Sequence, residues 1–354
     1  MSKMAAPPRI RLPEPPFLGI EEEVRLTSSR LEPFLVEPET FAAFCHKHGT
    51  AEGRISVEEH GFEMQTAGHP DAEGVVRNLL QLRGNILDFA NELDPTWDKV
   101  QPFVWSSVPE LEDGVYTGFH GHHYNAVDAA RSPDIAELGG VLARHAFLWI
   151  PLSFNSAFTS RMEVSSALVQ RHVAPLARVR PLEGEPKLRL ELRSPDVQAD
   201  VERIKAGMAL FQCLVWRWRK EQSAYTFDWL DNDAEAEANM LAVRMSGRAA
   251  RVQYGGKRGV PYAEVMARLV DDLSHEGAQL GVRQELAQCV EMARHGGSEG
   301  EKDIETAISM FGHRDKEILY RLAGRAMWRY RKATAEGMRA RGMPLPKSLA
   351  DFER

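Results

Sequence analysis

The sequence predicts an α+β protein: a largely antiparallel sheet with helices on one face and an open polar face. Three observations lead there. Strand-like segments cluster between residues 17 and 195, with helices interspersed. After about residue 225 the apolar periodicity is helical almost throughout. Several strands carry apolar residues on one side and charged or imidazole side chains on the other, the habit of an antiparallel sheet packed on one face.

Taken in order, the chain opens on a Pro-rich stretch, AAPPRIRLPEPP, read as an extended arm over residues 1–15. Alternating runs predict strands near 17–26, 54–66, 99–105, 115–127 and 187–193. Periodic apolar runs predict helices near 74–93, 131–150 and 198–220. In the helical remainder, breaks are expected at QYGGKRGVP and RHGGSEGE, where glycines cluster. Residues 16–354 are expected to form a single domain, sheet-rich over 16–225 and mostly helical over 226–354, with any division near 226–234.

With 354 residues, 43% hydrophobic and 27% charged, the chain has the makings of a soluble globular protein. A net charge of −7 gives no general reason to expect nucleic-acid binding. Its three cysteines form neither a metal spacing nor a disulfide framework, which fits a reducing cytoplasm. No signal peptide or transmembrane run is visible, so no membrane partner is expected. Self-association is left open. Near the C-terminus, KEILYRLAGRAMWRYRKATAEGMRARG reads as a basic amphipathic helix, packed on the domain with its charges outward.

Strand faces carry the functional signal. In FLGIEEEVRL, Leu18, Ile20, Val24 and Leu26 share one face, while Glu21, Glu23 and Arg25 share the other. Glu22 falls on the apolar face, where a lone carboxylate is costly; it is expected to reach a sheet edge or to pair with an arginine from a covering helix. In GFEMQT, Phe62 and Met64 oppose Glu63 and Gln65. In TGFHGHHYNAV, His120, His122 and Tyr124 share a face, with His123 on the other. In LRLELR, three leucines oppose Arg189, Glu191 and Arg193. One reading is an ordinary solvated face. The other is a polar cavity floored by carboxylates, which need cations between them; oxygen-rich sites with an occasional imidazole suit Mg2+ or Mn2+, and arginine suits phosphate.

GIEEEVRL, FEMQT, GFHGHHYNAV, LSFNSAF and LELRSPD occur in the order found in the glutamate–cysteine ligase type 2 (carboxylate–amine ligase) family. The chain resembles that family, most specifically at Glu191, Arg193 and Asp196. The resemblance implies a glutamine synthetase-like catalytic fold and an ATP-dependent ligase. ATP would phosphorylate a carboxylate, typically the γ-carboxylate of glutamate, and an amine or amino acid would then displace phosphate to form an amide. It further implies Glu21, Glu23, Glu63, His120 and Glu191 as ligands of Mg2+ (or Mn2+), with Glu191 and Arg193 catalytic and Arg193 at the γ-phosphoryl group. His122 is a candidate for ATP or phosphate binding, and Asn155, Arg161 and Arg171 for substrate binding. The chain departs from the pattern at Ser56, where an acidic residue is usual, and at VWSSVP, where GTHP is usual. A phosphotransferase on the same fold and an inactive ligand-binding descendant are the alternatives.

Overall fold

The structure is a computed structural model that describes residues 15–49, 52–58, 61–103, 122–127, 135–153, 177–181, 188–195, 197–221, 233–296 and 316–350. Its organising element is β1 (Phe17–Thr27), whose apolar positions alternate as the sequence requires. Leu18, Ile20, Val24 and Leu26 are buried against helices, on the same side as Glu22. β1 pairs antiparallel with β3 (Gly61–Gln65) and β5 (His122–Val127), and at its C-terminal end with β4 (Gln101–Phe103). Outward from these lie β2 (Arg54–Glu58) on one side, and β7 (Leu188–Leu192) and β6 (Ala177–Pro181) on the other. Among the described residues the sheet has seven strands, with β2-β3-β1-β5-β7-β6 as its main order and every pairing antiparallel.

The run predicted as one strand over 54–66 is a hairpin. Glu58 pairs with Gly61 and Ser56 with Glu63, so β2 and β3 are separate antiparallel strands. Gly61, at φ 157°, lies so close to β1 that a Cβ there would stand 2.3 Å from the Val24 carbonyl oxygen. Only glycine permits that approach. The stretch QYGGKRGVP, expected as a break between helices, is the turn of a second hairpin joining β8 (Arg251–Tyr254) to β9 (Lys257–Pro261). Gly255 and Gly256 have φ of 57° and 72°, the double left-handed conformation of a tight two-residue hairpin turn. β6 and α1 (Pro38–His48) were not anticipated either.

Helices cover the apolar face. Asp71 caps α2 (Ala72–Leu93) by accepting a hydrogen bond from the Gly74 amide at 2.7 Å. The helix expected over 131–150 is α3 (Ile135–Arg144), followed by two short turns, Ala146–Leu148 and Ile150–Ser153. α4 (Val201–Glu221) crosses β5 at Gly207, whose missing side chain leaves room for the Tyr124 ring; an added Cβ would lie 2.8 Å from its hydroxyl. α5 (Asp233–Ser246), α6 (Tyr262–Asp272), α7 (Ser274–Leu280), α8 (Arg283–His295) and α9 (Lys316–Ala340) follow.

Two apolar clusters result. One gathers Leu18, Ile20, Tyr124, Leu190 and Leu192 beneath α3, α4 and the helices after it. The other gathers Val24, Leu26, Phe62 and Met64 beneath α1, α2 and α9. As expected, α9 packs with Tyr330 inward, while Trp328 remains about half exposed at 49%. Among the described residues no helix is long and apolar enough to cross a membrane.

Candidate active site

The register of β1 with its neighbours lines up the polar face rank by rank. One rank runs Ser56, Glu63, Glu23 across β2, β3 and β1. The next runs Arg54, Gln65, Glu21 and position 123. Asn125 of β5 then faces Glu191 of β7, which faces position 178 of β6. Glu21, Glu23, Glu63 and Glu191, named from strand alternation, therefore do lie on one face of one sheet.

Glu23 and Glu63 are direct cross-strand partners. Like charges opposed in this way destabilise a strand pair unless something positive stands between or beside them. Glu63 also accepts a hydrogen bond from the Gln65 side-chain amide. Ser56, standing where the resemblance expects an acidic residue, sits opposite Glu63, and its hydroxyl lies 3.5 Å from the Glu63 carbonyl oxygen.

Glu21 and Glu191 are almost wholly buried, at 2% and 0% exposure. Both are met by arginines of β7 and the loop that follows. Arg189 donates from Nη1 to Glu21, and its Nη2 stands 3.8 Å from Glu191 Oε2. Arg193 Nε lies 3.2 Å from Glu191 Oε1. These guanidiniums offset carboxylate charge in a part of the face where an uncompensated charge would be expensive.

The opposite face explains Glu22. It is fully buried and takes a bidentate pairing from Arg83 of α2, with Nε–Oε1 at 2.9 Å and Nη2–Oε2 at 2.5 Å. The Tyr330 hydroxyl of α9 donates to Glu22 Oε1 at 2.6 Å, and its ring lies under the Arg83 guanidinium, 4.5 Å away. Arg83 also donates to the carbonyls of Ala199, at 3.0 Å, and Gln198, at 2.5 Å. Burial alone would push the Arg83 pKa down, but the Glu22 charge reverses this and holds it above the usual value. Burial, reinforced by Glu22, raises the Tyr330 hydroxyl well above the tyrosine range. Of the two outcomes expected for Glu22, the arginine from a covering helix holds.

Tyr124 needs a correction of face. Glu22 pairs with position 122 and Glu21 with position 123, while Tyr124 pairs with Ile20 in the core. Register therefore puts position 123, with Asn125, in the carboxylate ranks, while Tyr124, which the sequence reading took as a polar-face residue, lies in the core. His120, Asn155, Arg161, Arg171 and Asp196 lie outside the described residues. Ser153 is buried in the turn before them, where it accepts at its carbonyl from the Gln198 amide.

Arg189 was placed on the right face but given no role. Arg83 was missed, although it left a trace: it stands in the middle of an apolar stripe, with Leu79, Leu80, Ile86 and Leu87 three and four residues away.

Glu23 and Glu63, opposed on adjacent strands, are oxygen donors of the kind that suits a divalent cation. Among the described residues, no group of three or more acidic, histidine or cysteine side chains converges in a metal-holding arrangement.

Comparison with known proteins agrees with this architecture. The model of glutamate-cysteine ligase family 2 matches residues 154–321, just under half of the chain. No curated protein matches it. Among solved structures, a glutamate–cysteine ligase from Francisella tularensis in complex with AMP superposes with a TM-score of 0.57 at 12% identity, covering 96% of this chain and 98% of that one. The Pup ligase PafA in complex with Pup gives a TM-score of 0.53 at 15% identity, covering 95% and 72%. PafA in complex with ADP gives 0.50 at 12%, covering 87% and 86%. The chain therefore matches glutamate-cysteine ligase family 2 over residues 154–321 and shares the fold of these ligases.

Proposed function

We propose that the protein is an ATP-dependent carboxylate–amine ligase. The observation that carries this reading is that Glu21, Glu23, Glu63 and Glu191 share one sheet face with Arg189 and Arg193. The family match over 154–321 and the likeness to nucleotide-bound ligases support it.

The reaction has two displacements. An oxygen of the substrate carboxylate attacks the γ-phosphorus of ATP, the bond to the bridging oxygen breaks, and ADP leaves. The amine nitrogen then attacks the acyl carbon of the acyl phosphate, phosphate departs, an amide remains and the surplus proton passes to water. ATP and the acid are both anions, so the face must lower their mutual repulsion before either step. Arg193, oriented by Glu191, is assigned to the γ-phosphoryl group as charge gathers on its oxygens. A divalent cation held by Glu23 and Glu63 would supply charge neutralisation at the phosphates. Asn155, Arg161 and Arg171 are assigned to the organic substrates, and His120 to the metal side. Glutamate or a similar acid, and an amine or amino acid, fit this scheme.

The test crosses ATP and Mg2+ with a panel of acids and amines and reads products by mass spectrometry. An amide formed together with ADP and phosphate supports the reading. A stable phosphorylated product would mean a phosphotransferase, and no ATP turnover across the panel would mean a binding protein.

A further inference from the structure

Asn78 is a polar residue on the buried side of α2. It is 2% exposed, and Val75, Leu79 and Leu82 stand beside it in the same buried stripe. A carboxamide in that setting is costly unless both its ends are bonded. Asn78 Oδ1 accepts from the Ala67 amide at 2.8 Å, and its Nδ2 donates to the Glu52 carbonyl at 2.5 Å. Those two backbone groups belong to opposed strands. The β2–β3 register sets Ser56 against Glu63 and Arg54 against Gln65; continued outward, it sets Glu52 against Ala67. The carboxamide therefore bridges the pair where the ladder ends, donating to one strand and accepting from the other as a peptide group would. Gly53 lies between, at φ 100°, where a Cβ would stand 2.5 Å from the Gln65 carbonyl oxygen. The segment after β3 is in turn bonded to β1: the Thr66 amide donates to the Ile20 carbonyl at 3.0 Å, and His69 and Leu18 exchange two backbone bonds of 2.7 and 2.8 Å.

We infer that Asn78 is a positioning residue for the ligase site: its carboxamide bridges Glu52 and Ala67 and so locks the edge strand β2 in register on the polar face. This deepens the ligase reading and rests on it. Among the described residues β2 pairs with β3 only, and an edge strand held on one side opens and slips more readily than an inner one. A slip of one residue would turn Arg54 and Ser56 away from the face they share with Gln65 and Glu63. Asn78 opposes that slip from the covered side, without reaching the polar face itself. Because the same segment is bonded to Leu18 and Ile20, just before Glu21, one side chain of α2 ties β2 to the continuation of β3 and, through it, to β1.

The test compares Asn78→Leu and Gly53→Ala with the parent in two measurements. Hydrogen–deuterium exchange read by mass spectrometry needs no turnover. It is expected to show residues 54–58 exchanging about tenfold faster or more in both variants, with α2 and β7 within about twofold of the parent. Steady-state ADP release with the parent's best acid and amine is expected to show kcat lowered by about tenfold or more and the KM for ATP within about threefold, because the charges of the face remain and only their placement changes. Circular dichroism fixes a temperature at which each variant is folded; should Asn78→Leu not fold, Gly53→Ala, which disturbs the same end of the ladder and leaves Asn78 in place, decides. A side chain that only adds stability would lower the melting temperature and leave kcat unchanged at that temperature. That result would overturn the inference, as would unchanged exchange over 54–58. The ligase reading fails separately, by the absence of amide product from the parent, and the exchange measurement then still decides whether Asn78 holds β2.

Discussion

β1 carries three consecutive glutamates, and its two faces treat them in opposite ways. On the helix-covered face, Glu22 is closed off: Arg83 and Tyr330 satisfy its oxygens, and Arg83 is satisfied in turn by two backbone carbonyls. On the other face, Glu23 is set directly against Glu63. The first arrangement is a finished charge network that ties β1, α2, α9 and the segment before α4 into one unit. The second sets two carboxylates against each other across a strand pair, an arrangement that a cation stabilises. The same side chain serves stability one residue away from where it serves chemistry, and the period of the strand is what separates the two uses.

The comparison can be broken most forcefully at Glu22. Glu22→Ala leaves the Arg83 guanidinium charged and buried, and breaking such a pair costs about 3–5 kcal/mol of stability. Urea denaturation should show this as a lower midpoint with an unchanged slope; a loss under about 1 kcal/mol would mean that the network is not a closed unit. Tyr330→Phe removes one hydrogen bond to a charged group and should cost about 1.5–3 kcal/mol by the same assay. Glu23→Gln or Glu63→Gln should behave conversely. Stability stays within about 1 kcal/mol of the parent, because a repulsive cross-strand pair is relieved. ADP release should fall by about a hundredfold or more with the loss of phosphate-side electrostatics.

The smallest effect belongs to a third kind of carboxylate, at the helix surface. Glu73 is bridged by Arg341 at 2.8 Å and by Lys205 at 3.3 Å. Burial pushes its pKa up, but the hydrogen bonds and charges of Arg341 and Lys205 outweigh this and leave it lowered. A depressed carboxylate contributes stability above its unfolded pKa, and that contribution is lost as pH falls through the lower folded value. Because the group is partly exposed, solvent screening keeps the contribution below about 1 kcal/mol. Glu73→Gln should therefore lower stability slightly at pH 7 and make no difference once the medium is acid enough to protonate Glu73 in the parent. An equal deficit at both pH values would contradict the assignment.

How much of this was legible from the chain follows from physical range. Alternation is a local property, so the division of Glu21 and Glu23 from Glu22, and the polar face of β7, could be read directly. The split of 54–66 into β2 and β3 could not, because the need for Gly61 arises from the approach of β1, far away in sequence. Parity was lost at β5: Tyr124 carries a hydroxyl and reads as polar beside two histidines, yet its ring fills the space over Gly207 in the core. Arg83 was hidden by the opposite error, since an arginine in a helix is ordinarily a surface residue. Its fit depends on Glu22, Tyr330 and two carbonyls gathered from three other parts of the chain.

The most direct test measures both faces in one experiment, comparing the parent, Glu22→Ala and Glu23→Gln for unfolding free energy and for amide formation from ATP with the most active acid and amine pair. The account predicts that Glu23→Gln keeps the parent's stability and loses amide formation, whereas Glu22→Ala loses stability by several kcal/mol. A Glu23→Gln protein that still joins acid to amine at the parent's rate would contradict it.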